Sequence, residues 1–375
     1  MNLNADVRVF ISFQTGGEEL HVELLRVDGL RILQQVEIEP IKGINVFHGD
    51  NASGKTSVLE ALYMLGRGRS FRGQRAYPLI QRGRKEFHVY SVLQEYGARP
   101  RAIGICRSTK GVEIRIDGSP VKRVSILAKA FPFQIVTPRS QEILERGAAF
   151  RRRLLDWGVF HVEPEFHTWH LRYRAALQQR NAAIRAGGTH VAVWDRALVS
   201  AAAHLEAARD RYITDLSVSL DRYVHRFEGL DCPFHLRFSR GYPNNKTLAE
   251  ALQESIGEDL RRGYTYYGPH RADFRFVCDS KGDAFDVASG GQKRLLIIAL
   301  NLAQAEILQS RSQRVPIWLL DDLPAEFDRK NRRSVLEMIA GVSEQVFVTT
   351  TDLDALDVEG VSEMKTFHVE QGRLR

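Results

Sequence analysis

GDNASGKT, residues 49–56, follows the apolar run INVFH (residues 44–48) and leads into SVLEALYML (residues 57–65). It satisfies the pattern G-x-x-x-x-G-K-[ST] in full. The flanks predict a buried strand before the loop and a helix after it, with Val58, Leu59, Leu62 and Leu65 on the apolar side. Glycines let successive backbone N–H groups turn inward towards phosphate oxygens, and the start of a helix adds partial positive charge there. Gly49, Asp50, Asn51, Ala52, Ser53, Gly54, Lys55 and Thr56 are thus the candidate ATP-binding residues. Lys55 is expected at the β- and γ-phosphates and Thr56 at Mg2+.

Such a loop needs a second anchor for the metal. VPIWLLDD, residues 315–322, is an apolar strand ending in two carboxylates, where open α/β sheets place ligands. Asp321 is the expected Mg2+ ligand, and Asp322 is expected to position or activate the attacking water. Between these two motifs, SGGQ precedes the strongly apolar stretch KRLLIIALNLAQ. Ser289, Gly290, Gly291 and Gln292 then form a capped helix start with free N–H groups, again suited to phosphate.

Around these motifs the 375-residue chain is long enough for one large or two modest domains. Its net charge of +7 favours an anionic partner such as nucleic acid. Cys106, Cys232 and Cys278 are widely spaced, which argues against a disulfide framework or a zinc ribbon. No stretch reads as a signal peptide or a membrane span, so the expected setting is soluble, reduced and cytoplasmic.

Residues 1–20 read as an N-terminal extension, and HVELLRVDGL (residues 21–30) as the first strand of the head. Residues 86–136 alternate like an antiparallel meander. Residues 161–263 are Ala-rich and helical in period, with a break at Gly187-Gly188, so they read as a helical arm. KTLAEALQESIGEDLRR (residues 246–262) reads as one helix of that arm. Residues 21–160 and 264–375 then form one discontinuous head.

The set of motifs resembles the ATP-binding-cassette ATPases, and within them the heads of the chromosome-maintenance and Rad50-like branch. The ordered segments NASGKTSVLEALYMLGRGRSFRG, FPFQIVTPRSQEILERGAAFRRRLLDWGVFH, YGPHRADF, ASGGQKR, LLDDLPAEFD and VFVTTTDL most resemble the bacterial RecF family of gap-repair ATPases, over residues 21–375. The fold that this implies is α/β, an ABC-type P-loop ATPase head with mixed sheets and an inserted helical arm. The resemblance further implies two heads facing each other, with each nucleotide between one P-loop and Ser289 of the partner subunit. Ala325-Glu326-Phe327-Asp328 would lie along that interface. It makes Gln134 the residue sensing Mg2+ and the γ-phosphate, and Arg31 a nucleotide contact in place of the family's usual Phe-Arg. The implied function is ATP-driven homodimer clamping on double-stranded DNA near gapped single-strand/double-strand junctions, alongside the RecR and RecO mediators and without a membrane.

Two features temper the catalysis. Asp322 stands where the superfamily usually has Glu, one methylene longer, and VFVTTTD carries Thr where transporter-type cassettes have a switch His. A displacement of about 1 Å costs on the order of 10²-fold in rate, so slow, DNA-stimulated hydrolysis is expected. The arginines Arg67, Arg69, Arg72 and Arg75, with Arg146, Arg151, Arg152 and Arg153, are expected to hold DNA by its backbone. His270 and Arg271 carry no assigned chemistry. The rival readings are the ATPase subunit of an ABC transporter, a full chromosome-maintenance rod, for which the arm is too short, and an ATP-gated DNA scaffold without productive hydrolysis.

Overall fold

The computed structural model describes residues 20–73, 79–95, 97–230, 232–323, 327–356 and 363–375. The expected N-terminal extension therefore lies outside the described residues, apart from Leu20. Contacts divide the chain into two units, Met1–Ser140 with Leu308–Arg375, and Gln141–Ile307.

In the first unit a six-stranded sheet runs in the order Arg373–Leu374, Met364–Glu370, Gly43–His48, Gln345–Thr350, Ile317–Leu320, Phe133–Val136. Every neighbouring pair is parallel except Arg373–Leu374 with Met364–Glu370. Strands covered on both faces become continuous apolar runs, and Ile317–Leu320 is buried throughout. Gln345 is fully buried yet satisfied. Its amide accepts from Val22 N at 2.8 Å and donates to the Val22 and Ile41 carbonyls at 3.0 Å.

A second sheet is wholly antiparallel, in the order Gln35–Ile38, Leu20–Asp28, Glu86–Glu95, Arg101–Ser108, Gly111–Ile116, Ser119–Pro120. Phe87, Val89, Ile103, Ile105, Ile114 and Ile116 turn inward, and their alternate neighbours face out. The meander expected over residues 86–136 thus stops at Pro120. Val124–Ala130 is a helix, and Phe133–Val136 pairs in parallel with Ile317–Leu320. The apolar run FPFQIV marks the change, because it has lost the period of two that a half-solvated strand needs.

Helix Lys55–Arg67 packs between these layers. Val58, Leu59, Leu62 and Leu65 are fully buried, in one core with Phe47, Ile105, Phe133, Leu319 and Phe347. Each such burial is worth roughly 1.5–3 kcal/mol. Gly68 ends the helix in the left-handed conformation at φ 61°.

The second unit is mainly helical. Helices Phe166–Arg185 and Val191–Val224 form an antiparallel pair broken at Gly187 and Gly188, both with positive φ. Arg180 is fully buried between Asp195 and Asp259, both at 2.6 Å, and Thr265 at 2.8 Å. Residues 246–262 form two helices rather than one, Leu248–Glu254 and Ile256–Arg262, with the break at Ser255. A three-stranded antiparallel sheet joins Gly282–Asp283, Asp273–Cys278 and Phe234–Ser239. Here the cysteine expectation is corrected: Cys232 and Cys278 are joined, with Cα atoms 6.1 Å apart. Spacing alone could not reveal this, because it is the strand pairing that ends at Phe234↔Cys278 that brings Cys232 and Cys278, 46 residues apart, together. Among the described residues no helix is long and apolar enough to cross a membrane.

Candidate nucleotide site

Strand Gly43–His48 delivers the loop to the carboxyl edge of the parallel sheet, and Ile317–Leu320 delivers Asp321 and Asp322 to the same edge. The strand between them, Gln345–Thr350, contributes Thr349. A cleft of about 660 Å³ opens there, lined by Ser53, Lys55, Thr56, Asp321, Asp322 and Thr349 among others. Gly49 is required twice over. Its φ is +145°, and a Cβ would collide with the Val369 carbonyl oxygen.

Lys55 Nζ folds back onto its own loop and donates to the Gly49 and Asp50 carbonyls, both at 2.7 Å. Burial pulls its ammonium below the ordinary lysine range, against the opposing pull of Asp322, Asp321 and Asp50. Ser53 Oγ is buried with no hydrogen-bond partner. A desolvated cation held only by neutral carbonyls, beside an orphaned hydroxyl, suits a triphosphate tail.

Thr56 Oγ1 and Thr349 Oγ1 both donate to Asp321 Oδ1 at 2.9 Å. Thr349 Oγ1 also accepts from Asp322 N at 2.8 Å. Asp322 takes the left-handed conformation at φ 55°, which turns its backbone sharply just past the strand. Burial raises the Asp321 carboxyl above its ordinary value, and the two hydroxyl bonds only partly offset this. A buried carboxylate and a hydroxyl converging through oxygen alone suit a hard cation, so the residues present fit Mg2+.

Arg31 lines the cleft, and its guanidinium is already bound. Nε and Nη2 donate to Glu60 of the helix after the loop at 2.6 and 2.7 Å, and Ser70 Oγ donates to the same carboxylate. Gln134 needs correcting. Phe133 and Ile135 face the core shared with helix Lys55–Arg67, so Gln134 lies on the opposite face beside Trp318, two positions short of the strand's end. It does not line the cleft, and the sensing role expected of it is dropped.

In the second unit, Ser289 and Gln292 cap each other. Ser289 Oγ accepts from Gln292 N at 3.2 Å, and Gln292 Oε1 accepts from Ser289 N at 3.0 Å. Gly290 and Gly291 stand exposed at the start of helix Gly290–Ser312, so the N–H groups expected there are open.

The arginines sort unevenly. Arg69 is exposed, and Arg67 is half-buried over the Tyr63 ring. Arg72 lines the nucleotide cleft together with Arg82, which sequence reasoning missed. Arg75 lies outside the described residues, as do Ala325 and Glu326. Arg151 is a further correction. It is buried and spent on a bidentate pair with Asp273 at 2.7 and 2.8 Å and on the Leu144 carbonyl, so it presents nothing to a phosphate. Arg152 is half-buried and donates to the Ala272 carbonyl at 2.6 Å. Arg153 is exposed over the Phe150 ring, which Arg146 also approaches. His270 is held as the neutral Nε2–H tautomer, donating to the Thr265 carbonyl at 3.0 Å and accepting from Tyr173 at 2.7 Å.

The sequence profile of the RecF/RecN/SMC N terminal domain family matches residues 21–374. The DNA replication and repair protein RecF of Azotobacter vinelandii (strain DJ / ATCC BAA-1303) is 39% identical, covering 93% of this chain and 96% of its own. That of Shewanella amazonensis (strain ATCC BAA-1098 / SB2B) is 37% identical, covering 93% and 98%. A solved structure of the recombination mediator protein RecF with ATP, in the RecFOR pathway, superposes with a TM-score of 0.84 at 25% identity, over 96% of this chain and 99% of that one. The Smc head domain derived from Pyrococcus furiosus, at a TM-score of 0.59 and 14% identity over 95% of each chain, shares the fold. These likenesses bear out the α/β ATPase-head fold with mixed sheets.

Proposed function

The chain belongs to the RecF family, within the RecF/RecN/SMC group, and on that premise we propose that it is an ATP-dependent DNA-binding protein of replication and recombinational repair. The observation that carries the reading is the hydrogen-bonded trio of Thr56, Asp321 and Thr349 beside the buried Lys55. Residues 49–56 cradle the triphosphate through backbone N–H groups, and Lys55 exchanges its two carbonyl partners for β- and γ-phosphate oxygens. Thr56 and Asp321 would hold Mg2+, which would supply positive charge against the charge that develops on the phosphates. Asp322, turned by its left-handed backbone, orients the attacking water. Its short side chain makes hydrolysis slow, and DNA stimulates it.

Bound ATP joins two copies, each presenting its Ser289–Gln292 helix start to the other's γ-phosphate. The clamp closes over duplex DNA near gapped junctions, held through exposed arginines such as Arg69 and Arg153, with Arg67 and Arg152 at the margins. Arg31 borders the nucleotide while braced by Glu60. The working arrangement is a head of residues 21–160 and 264–375 with an arm of 161–263, acting in the cytoplasm with RecO and RecR. Family membership removes the transporter reading. A scaffold without productive hydrolysis remains the contrast. It predicts that Lys55→Ala abolishes function while Asp322→Asn leaves it intact.

The test is sedimentation velocity with ATP, with ADP and without nucleotide, each with and without gapped duplex. The expected outcome is a dimer with ATP and Mg2+ only, strengthened by DNA. A monomer at saturating ATP and Mg2+ overturns the clamp.

A further inference from the structure

The outward face of the antiparallel sheet carries an unusual row. Asp28 lies opposite His88, His88 opposite Cys106, and Cys106 opposite Glu113, across four consecutive strands. Their alternate neighbours Val27, Phe87, Val89, Ile105 and Ile114 are buried, so all four face away from the core. Glu86, two residues before His88, shares that face, and its Oε1 lies 3.1 Å from His88 Nε2. Among the described residues one group of three or more His, Cys, Asp or Glu side chains brings its donor atoms within 4.8 Å of one another, namely Glu86, His88 and Cys106.

We propose that Glu86, His88 and Cys106, with Glu113 as fourth ligand, form a binding site for a borderline-soft divalent metal of the Zn2+ class, separate from the nucleotide cleft. The donor set carries the choice of metal. Thiolate, imidazole and carboxylate together favour zinc-like ions, whereas Mg2+ wants oxygen alone and near-octahedral geometry. Metal–ligand bonds of about 2.0–2.3 Å set tetrahedral donors roughly 3.3–3.8 Å apart. His88 and Cys106 are directly opposed, where Cβ atoms stand about 4.5–5.5 Å apart, and Glu86 joins them from two residues along the strand of His88, with all three donor atoms within 4.8 Å of one another. Glu113 reaches the fourth position from across Cys106 by releasing its exposed pair with Arg115 at 2.8 Å.

The probe is Co2+, titrated into the full chain under reducing conditions without nucleotide. The expected result is one saturable site with a thiolate-to-cobalt charge-transfer band, displaced by Zn2+ and untouched by Mg2+. Cys106→Ser should abolish the band, and His88→Gln should weaken binding by at least about 100-fold, since loss of even an outer-shell partner costs about 10–100-fold. Neither residue belongs to the nucleotide machinery, so binding of a fluorescent ATP analogue should stay unchanged and certify the fold of both variants. Should Cys106→Ser fail to fold, His88→Gln alone reads the same site. Absence of saturable Co2+ binding overturns the proposal. So does a charge-transfer band that survives Cys106→Ser, which would put the metal on Cys232 or Cys278.

Discussion

The pair Arg31–Glu60 allows a test in which stability and ligand binding separate. Glu60 is fully buried and accepts three hydrogen bonds, two from Arg31 and one from Ser70, while the Arg31 side chain is 8% exposed. Removing one partner of such a pair strands the other charge in a low-dielectric core and costs about 3–5 kcal/mol. Replacing both by apolar groups of similar volume leaves no stranded charge and is often neutral. Arg31→Met and Glu60→Leu should therefore each destabilise by about 3–5 kcal/mol, and the double variant should return to within about 1 kcal/mol of wild type. Urea unfolding followed by tryptophan fluorescence reads this, since Trp318 is fully buried in the parallel sheet of the same unit. Additive single effects below about 1 kcal/mol, the scale of exposed ion pairs, would refute the reasoning. The double variant then decides what Arg31 does for nucleotide. Wild-type stability with ATP affinity down by about tenfold, or 1.4 kcal/mol, makes Arg31 a direct contact, and unchanged affinity makes it a brace for the helix.

Asp322→Asn should slow single-turnover phosphate release by roughly 10²-fold or more while leaving ATP affinity nearly intact, read by phosphate-sensor fluorescence and analogue binding. Asp321→Asn should stabilise the Mg2+-free protein at neutral pH. Burial raises the folded carboxyl above its unfolded value, so the ionised form opposes folding, and the gain should fade as pH falls through the raised value. His270 runs the other way. Its folded value is lowered to about 4, so the unfolded chain takes up the proton first, and stability falls as pH drops from about 6.5 towards that value. Thermal scans of His270→Gln across that window should show a flatter profile than wild type. Arg153→Glu should weaken duplex binding and lower the salt slope by about one contact, whereas Arg151→Ala should cost about 3–5 kcal/mol of stability. An Arg151→Ala protein of full stability and weak DNA affinity would reverse that assignment.

Contiguous chemistry was legible before the structure. The loop at 49–56, the carboxylates at 321 and 322 and the cap at 289–292 each bring their residues together within a few positions, and the fold places each at the expected end of its strand or helix. Register was not legible. Thr349 reaches Asp321 because its strand lies between two others, and nothing in VFVTTTD announces that bond. The resemblance makes Gln134 a sensor at the γ-phosphate, but its strand goes on pairing to Val136↔Leu320 and so holds it back from the edge. Arg151 looked free because its partner Asp273 lies 122 residues further along the chain, and Cys232 looked unpaired for the same kind of reason.

The hairpin of Met364–Glu370 and Arg373–Leu374 reaches the nucleotide loop itself. Gly372 N donates to the Ser53 carbonyl at 2.8 Å, Gly372 O accepts from Gln34 N at 3.2 Å, and Val369 O crowds Gly49. A nascent chain still short of residue 372 lacks the strap that sets the loop's curvature, although the loop itself was translated more than three hundred codons earlier. Competence to bind nucleotide therefore waits for this hairpin, and ribosome-bound chains stalled before residue 372 should not retain ATP.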